Sequence, residues 1–406
     1  MKRLALKFGG TSVGTIEKIK KVANIVKKRH DEGNEIIVVV SAMSGTTDDL
    51  EEKSKLISKN FDTKELDVLL SSGEQVSSSL LSGALIDIGL KARSWMGWQV
   101  PILTDANYTS SQIMKIKTDE VLNFISDSDR GIAVIAGFQG ISINNRITTL
   151  GRGGSDLSAV AIAKFFKTDF CEIYTDVQGV LTTDPSINKN AKKIDKISYE
   201  EMLEMASLGA KVMQPNAVQA SMIDNIPIHV RSAFLEKNGT KIISESEIDD
   251  KKVVTGIAYS KNNAKVSVVG VVDKPGVAAD IFEPIGKNNI NIDMVIQNTS
   301  FDGKKANVTF TIKREDLEKT LSLLEKNKKK LNYNKIIQDD KLAKVSIIGA
   351  GMIANPGVTH KMFRSLADEK INILAISTSE IKISVLIREE LTQKAVKILH
   401  KTFDLN

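Results

Sequence analysis

With one cysteine in 406 residues, Cys171, the chain can form no internal disulfide and offers no cysteine-based metal spacing. That cysteine sits in the apolar segment DFCEIYTD and reads as a small buried hydrophobe in a reducing compartment. No apolar run is long enough to span a bilayer. The N-terminal MKRLALKFGG has basic residues, but Lys7 cuts its apolar stretch, unlike a signal peptide. Both absences predict a cytoplasmic chain with no membrane partner. Aromatics are scarce, at 5%, and none interleaves with the basic runs, so the net charge of +6 does not define a nucleic-acid surface. The densest basic run, KNKKKLNYNK (326–335), reads as a solvated helix end and loop. There are only four histidines, His30, His229, His360 and His400, which restricts histidine-based catalysis.

What is present is enough apolar residue for a sizeable core, 42% hydrophobic against 26% charged, and a length that suits two or three domains. Through about residue 250, short β-type runs alternate with helical patterns, which predicts an α/β layered sheet. RLALKF is a strand candidate. TIEKIKKVANIVKKRH follows, with Ile16, Ile19, Val22, Ala23 and Val26 on one helical face. EIIVVVS, GIAVIAGF and CEIYTD read as strands covered on both sides. AKVMQPNAVQASMIDN reads as a helix broken or started by Pro215, and IPIHVRSAF as a further strand.

The last third contains an internal repeat. Val266 corresponds to Val345, Gly270 to Gly349, Pro275-Gly276 to Pro356-Gly357, Phe282 to Phe363, and Ile290-Asn291-Ile292 to Ile371-Asn372-Ile373. Each copy reads as a βαββαβ unit. Each such unit leaves an open sheet edge, which predicts pairing of the copies and at least a dimer. The polar stretch SESEIDDKK (244–252) marks the boundary, and VVTGIAYS (253–260) is a strand that can pair with either copy.

Several loops carry candidate chemistry. KFGGTSVG (7–14) lies between the first strand and first helix. It is either an anion site built from backbone N–H groups, with Lys7 in reach of a phosphate, or a plain glycine turn. The same stretch matches the G-x-S-x-G nucleophile elbow, with Ser12 as nucleophile and His229 the one histidine in suitable chain order. SAMSGTTDDL (41–50) concentrates hydroxyls. Ser41 and Thr47 would either cap a loop or bind a small polar substrate at the carboxyl end of the sheet. SSGEQVS puts Glu74 in the first turn of an expected helix, where the helix dipole alone would favour it. GRGGSD (151–156) opens another helix and carries Arg152, whose rigid fork suits bidentate carboxylate recognition.

Together, KFGGTSVG, VVSAMSGTTD, SSGEQVS, GFQG…TTLGRGGSDLSA, YTDVQGV…TDP and GAKVMQP, followed by the two Pro-Gly repeats, resemble the aspartokinases of the amino-acid-kinase family. The repeats are similar to ACT domains. The resemblance implies a three-layer αβα kinase domain over 1–247 and two ferredoxin-like ACT domains over 265–339 and 340–406. It implies transfer of the γ-phosphoryl of ATP, with Mg²⁺, to the β-carboxylate of L-aspartate. By resemblance the catalytic residues are Lys7, Arg152 and Asp156, and the substrate residues are Ser41, Thr47, Glu74, Arg152 and Ser155. The nucleotide residues are Lys7, Phe8, Gly9, Gly10, Ser12, Thr175, Asp176, Leu181, Ser186 and Lys211. Another amino-acid kinase, acting on glutamate, acetylglutamate or UMP, is the nearest rival, and the serine hydrolase is a second.

A carboxylate nucleophile with a reference pKa of about 3.9 is already ionised at neutral pH, so Asp156 is expected to orient Lys7 or the substrate ammonium rather than act as a base. Leu181 and Ser186 depart from the family's tyrosine and arginine and put nucleotide affinity in question. The resemblance also implies inhibition by lysine, threonine or both. The first repeat carries Asp273 and Asp293 for an ammonium and Gln297 and Asn298 for a carboxylate, with Ala278, Ala279 and Asn291 alongside. The second repeat has Leu374 at the place of Asp293, so the effector is expected at the first.

Overall fold

The computed structural model describes residues 1–210, 212–249, 252–299 and 304–405. The chain divides into two compact units, residues 1–181 with 193–250, and 182–192 with 251–406.

The first unit is built on an eight-stranded sheet in the order Lys196–Ser198, Thr240–Ile243, Ile228–Ser232, Phe170–Thr175, Arg3–Phe8, Glu35–Val40, Ile132–Ala136, Ala92–Trp95. Among these only Ile228–Ser232 and Thr240–Ile243 pair antiparallel. The continuous apolar runs are the central strands: every residue of Glu35–Val40 and Ile132–Ala136 is buried. Layers on both faces remove the alternation that a half-solvated strand shows. On one face Leu4, Leu6 and Phe8 pack with Ile19, Val22 and Val26 of the helix Ile16–Asp31 and with Leu81 and Leu85 of the helix Thr63–Asp87. The helix Gly154–Phe165 packs against Arg3–Phe8 and Phe170–Thr175. Pro215 starts the helix Pro215–Ile223 at its first turn, where its missing N–H costs nothing. A small sheet, in the order Ile113–Ile116, Ile102–Thr104, Gln139–Ser142, Ile147–Thr149, delivers the glycine loop that follows Thr149.

The second unit is a six-stranded antiparallel sheet in the order Asp293–Thr299, Lys305–Lys313, Gly256–Val272, Lys335–Ile348, Lys382–Arg388, Ala375–Thr378. Both repeats share it. The two long strands each serve both copies: Gly256–Ser260 pairs with Lys344–Ile348, and Val266–Val269 with Lys335–Gln338. The segment 253–260 therefore contributes its strand to the second copy. The helices Val277–Gly286 and Leu317–Lys326 cover the first copy's core, and Val358–Asp368 with Thr392–Thr402 the second's.

Residues 182–192, which the sequence reading leaves in the first domain, pack within this second unit. Ile187 joins the second copy's core, Tyr259 Oη donates to Asp184 Oδ2 at 2.9 Å, and Thr182 Oγ1 lies 2.8 Å from His400 Nε2.

Candidate active site

The loops after Arg3–Phe8, Glu35–Val40 and Ile147–Thr149 converge on a cleft of about 740 Å³. Lys7, Gly10, Ser41, Thr47, Glu74, Arg152, Ser155 and Asp156 all line it. Residues expected from four separate motifs are thus brought to one place.

Lys7 Nζ lies 2.6 Å from Asp156 Oδ1, with each side chain about 10% exposed. The contact is a close ion pair between two nearly buried side chains. Asp156 sits in the first turn of Gly154–Phe165, where the helix dipole favours an anion. The Asp156 carboxylate therefore has both a cation and a helix end to hold it.

Arg152 is exposed, between Gly151 at φ 72° and Gly153 at φ 75°. Both glycines occupy the left-handed region, and a side chain at 153 would meet the Gln214 side chain at 2.1 Å. Arg152 has no ion-pair partner among the described residues, so its fork is open to a ligand carboxylate.

Glu74 is 3% exposed. Its Oε1 accepts from Ala42 N at 3.0 Å, and its Oε2 is buried with no hydrogen-bond partner among the described residues. Burial pushes its carboxyl up to about 8, against the opposing pull of the Ala42 N–H and the Lys7 charge. The expected first-turn position is corrected. The helix begins at Thr63, capped by Asp62 accepting from Lys64 N at 2.9 Å and Glu65 N at 3.2 Å, because TKELDVLL is helical too. The helix dipole therefore does not explain Glu74.

The elbow reading fails on burial. Ser12 is fully buried, whereas a nucleophile on an elbow must be exposed. His229 faces Glu172 instead, at 3.8 Å, and burial with the Arg231 charge holds it down at about 4.

Other expected nucleotide residues lie outside the cleft lining. Phe8 stacks on Tyr174 with centroids 4.6 Å apart, and Gly9 N donates to Tyr174 O at 3.4 Å. Thr175 ends the neighbouring strand, and its Oγ1 donates to Asp176 Oδ1 at 3.1 Å. Leu181 forms an isolated bridge with Lys193. Ser186 belongs to the second unit, where its N and Oγ both donate to Asp184 Oδ1. Lys211 lies outside the described residues.

In the second unit, Ala278 and Ala279 occupy the first turn of Val277–Gly286, and Asp273 N donates to Lys304 O at 3.0 Å. Asn291 is exposed, as are Gln297 and Asn298 on the edge strand Asp293–Thr299. The carboxylate of Asp293 is paired with Lys344. Burial raises its pKa, but the Lys344 hydrogen bond and charge outweigh that and leave it below the usual range.

Sequence reasoning missed Thr109, Thr149 and Gln214 in the cleft wall, and Asp67 behind it. Asp67 lies seven residues before Glu74, on the same helical face. That spacing was the available signal. Among the described residues no three of His, Cys, Asp and Glu gather to hold a metal, and no helix is long and apolar enough to cross a membrane.

A largely parallel sheet with a cation-bearing cleft at its carboxyl strand ends, joined to a doubled ferredoxin-like sheet, defines a two-unit α/β enzyme for anionic substrates. The model of the amino acid kinase family matches residues 2–232, and that of an ACT domain matches 266–327 and 345–403. An aspartate kinase of Pseudomonas putida is 46% identical over 407 residues, covering 100% of this chain and 98% of its own. Aspartokinase 2 of Bacillus subtilis is 44% identical, covering 98% and 97%. The crystal structure of E. coli aspartokinase III in complex with lysine and aspartate covers 98% of this chain and 99% of its own, with a TM-score of 0.75 and 25% identity. The chain belongs to the aspartokinases of the amino acid kinase family.

Proposed function

We propose that the chain transfers the γ-phosphoryl group of ATP to the β-carboxylate of L-aspartate, giving 4-phospho-L-aspartate and ADP. This is the first step toward lysine, threonine and methionine. The observation that carries the reading is the meeting of Lys7, Glu74, Arg152 and Asp156 in one cleft, in a chain 46% identical to an aspartate kinase.

The roles follow from charge. Both substrates are anionic, so catalysis is positioning plus neutralisation of charge at the transferring phosphoryl. Arg152 holds a carboxylate of aspartate. Glu74 takes its ammonium, with Ser41, Thr47 and Ser155 beside it. The Lys7 ammonium, held by Asp156, meets the phosphoryl oxygens. The attacking carboxylate needs no base. Gly10, with Phe8, Gly9, Ser12, Thr175, Asp176 and Leu181 of the same unit, forms the nucleotide side. Mg²⁺ would accompany the nucleotide and neutralise charge on its phosphates.

The effector is an amino acid, lysine or threonine, bound at the first repeat by Asp273 and the residues around the edge strand. The E. coli relative is described with lysine and aspartate. The bare edge of Asp293–Thr299 supports assembly into a homodimer or larger homo-oligomer. A cytoplasmic location accords with these substrates.

The reading is tested by ADP release over a panel of L-aspartate, L-glutamate, N-acetyl-L-glutamate and UMP. Turnover with aspartate is expected, and turnover with another acceptor alone overturns it.

A further inference from the structure

The helix Thr63–Asp87 presents two buried carboxylates, and only Glu74 reaches the cleft. Asp67 is completely buried, with no cation paired to it among the described residues. It accepts four hydrogen bonds instead. Thr109 N donates to Oδ1 at 3.1 Å and to Oδ2 at 3.0 Å, Thr149 N to Oδ2 at 3.0 Å, and Thr149 Oγ1 to Oδ1 at 2.6 Å. These donors lie 42 and 82 residues away in sequence.

Both donors belong to the cleft wall. Thr149 is three residues before Arg152. Thr109 sits at φ 66°, a conformation that a β-branched residue adopts only when its surroundings impose it. The same region is stitched further. Ser111 N donates to Thr149 O at 2.9 Å, and Thr109 O lies 3.0 Å from where a side chain at Gly151 would begin.

Helix-to-sheet packing alone would be served by an apolar residue, and burying a carboxylate is costly unless its oxygens are satisfied. Asp67 meets that condition with donors from two separate loops. A carboxylate offers acceptors on both oxygens, which an amide cannot match.

We propose that Asp67 is a positioning residue for the amino-acid side of the cleft: it clamps the loop around Thr109 to Thr149 and so fixes the glycine loop that aims Arg152. The inference rests on the aspartate kinase reading. Lys7 and Asp156 are placed by other elements, so nucleotide binding does not depend on the clamp.

The test is steady-state kinetics on the full chain for Asp67→Ala, Asp67→Asn and Thr149→Val, with thermal melts alongside. In Asp67→Ala the aspartate KM should rise by about tenfold or more, as expected for a misplaced binding group. Asp67→Asn keeps one acceptor and should fall between it and the wild type. Thr149→Val keeps the backbone donors and should give the smallest rise. The ATP KM should stay within about twofold in all three, since uniform damage would raise both constants together. If Asp67→Ala does not fold, the other two decide. An unchanged aspartate KM in folded variants overturns the proposal, and so does an equal rise in both KM values. A wild type that does not phosphorylate aspartate overturns the functional reading itself, and this inference with it.

Discussion

Glu74 and Asp293 are both carboxylates expected to meet an amino-acid ammonium, one in each unit, and the chain treats them oppositely. Glu74 is buried with one oxygen unpartnered and its carboxyl raised to about 8. Asp293 is half exposed and already paired with Lys344. The catalytic cleft also leaves Arg152 without an ion-pair partner among the described residues, whereas Asp293 of the first repeat already has the ammonium of Lys344 from the second. A ligand of the cleft completes a charge arrangement that the protein leaves unfinished. A ligand of the repeat has to displace, or work around, an interaction that already exists. The first arrangement suits a substrate whose charges the site must hold. The second suits an effector that shifts a balance by a modest amount.

The largest effect should come from removing the open cation. Arg152→Ala is expected to lower kcat/KM for aspartate about a hundred- to a thousand-fold, equivalent to about 3–4 kcal/mol, with MgADP binding retained by calorimetry. Arg152→Lys should rescue poorly, because an ammonium lacks the fork. Near-normal activity in Arg152→Ala would break the contrast at its strongest point. Next, Lys7→Ala should reduce kcat on the order of a hundredfold while the aspartate KM changes far less, since its charge matters most during transfer. Loss of nucleotide affinity at unchanged kcat would make Lys7 a docking contact only.

A third effect comes from the unpartnered acid. Folding raises Glu74 from its ordinary 4.5 to about 8, so the native state keeps a proton that the unfolded chain has lost. Its contribution to stability therefore declines as pH climbs from 4.5 to 8. Thermal melts should show Glu74→Gln gaining on the wild type over that range, and parallel curves would contradict the assignment. The smallest effect belongs to the second unit. Lys344→Met should free Asp293 and strengthen amino-acid inhibition, and Asp273→Ala should weaken it. Each should act within the roughly 5- to 150-fold range of allosteric couplings. Inhibition indifferent to both would remove the effector from the first repeat.

The parts legible in the sequence are those written locally. The glycine loops stand where the apolar period changes from strand to helix, so KFGGTSVG and GRGGSD mark sheet ends directly. The repeat shows because Pro-Gly and Ile-Asn-Ile recur at matching offsets. Interactions set by distant pairing were not legible. Asp67 gives no local sign of donors at Thr109 and Thr149. The Asp293–Lys344 pair spans the two repeats and depends on how their strands share one sheet. Residues 182–192 follow a first-unit strand in sequence, and only Ile187, Thr182 and Asp184 in their packed positions show which core they join. The helix carrying Glu74 starts eleven residues before it, because SSGEQVS, read as a helix start, lies inside a longer helix.

The most direct measurement is proton release on aspartate binding. L-Aspartate is titrated calorimetrically into the wild type and into Glu74→Gln at pH 7, in buffers of different ionisation enthalpy. With a carboxyl near 8 that must ionise to hold the ammonium, the account predicts release of close to one proton per aspartate bound to the wild type, and none to Glu74→Gln. Equal release in both proteins, or none in either, would contradict it.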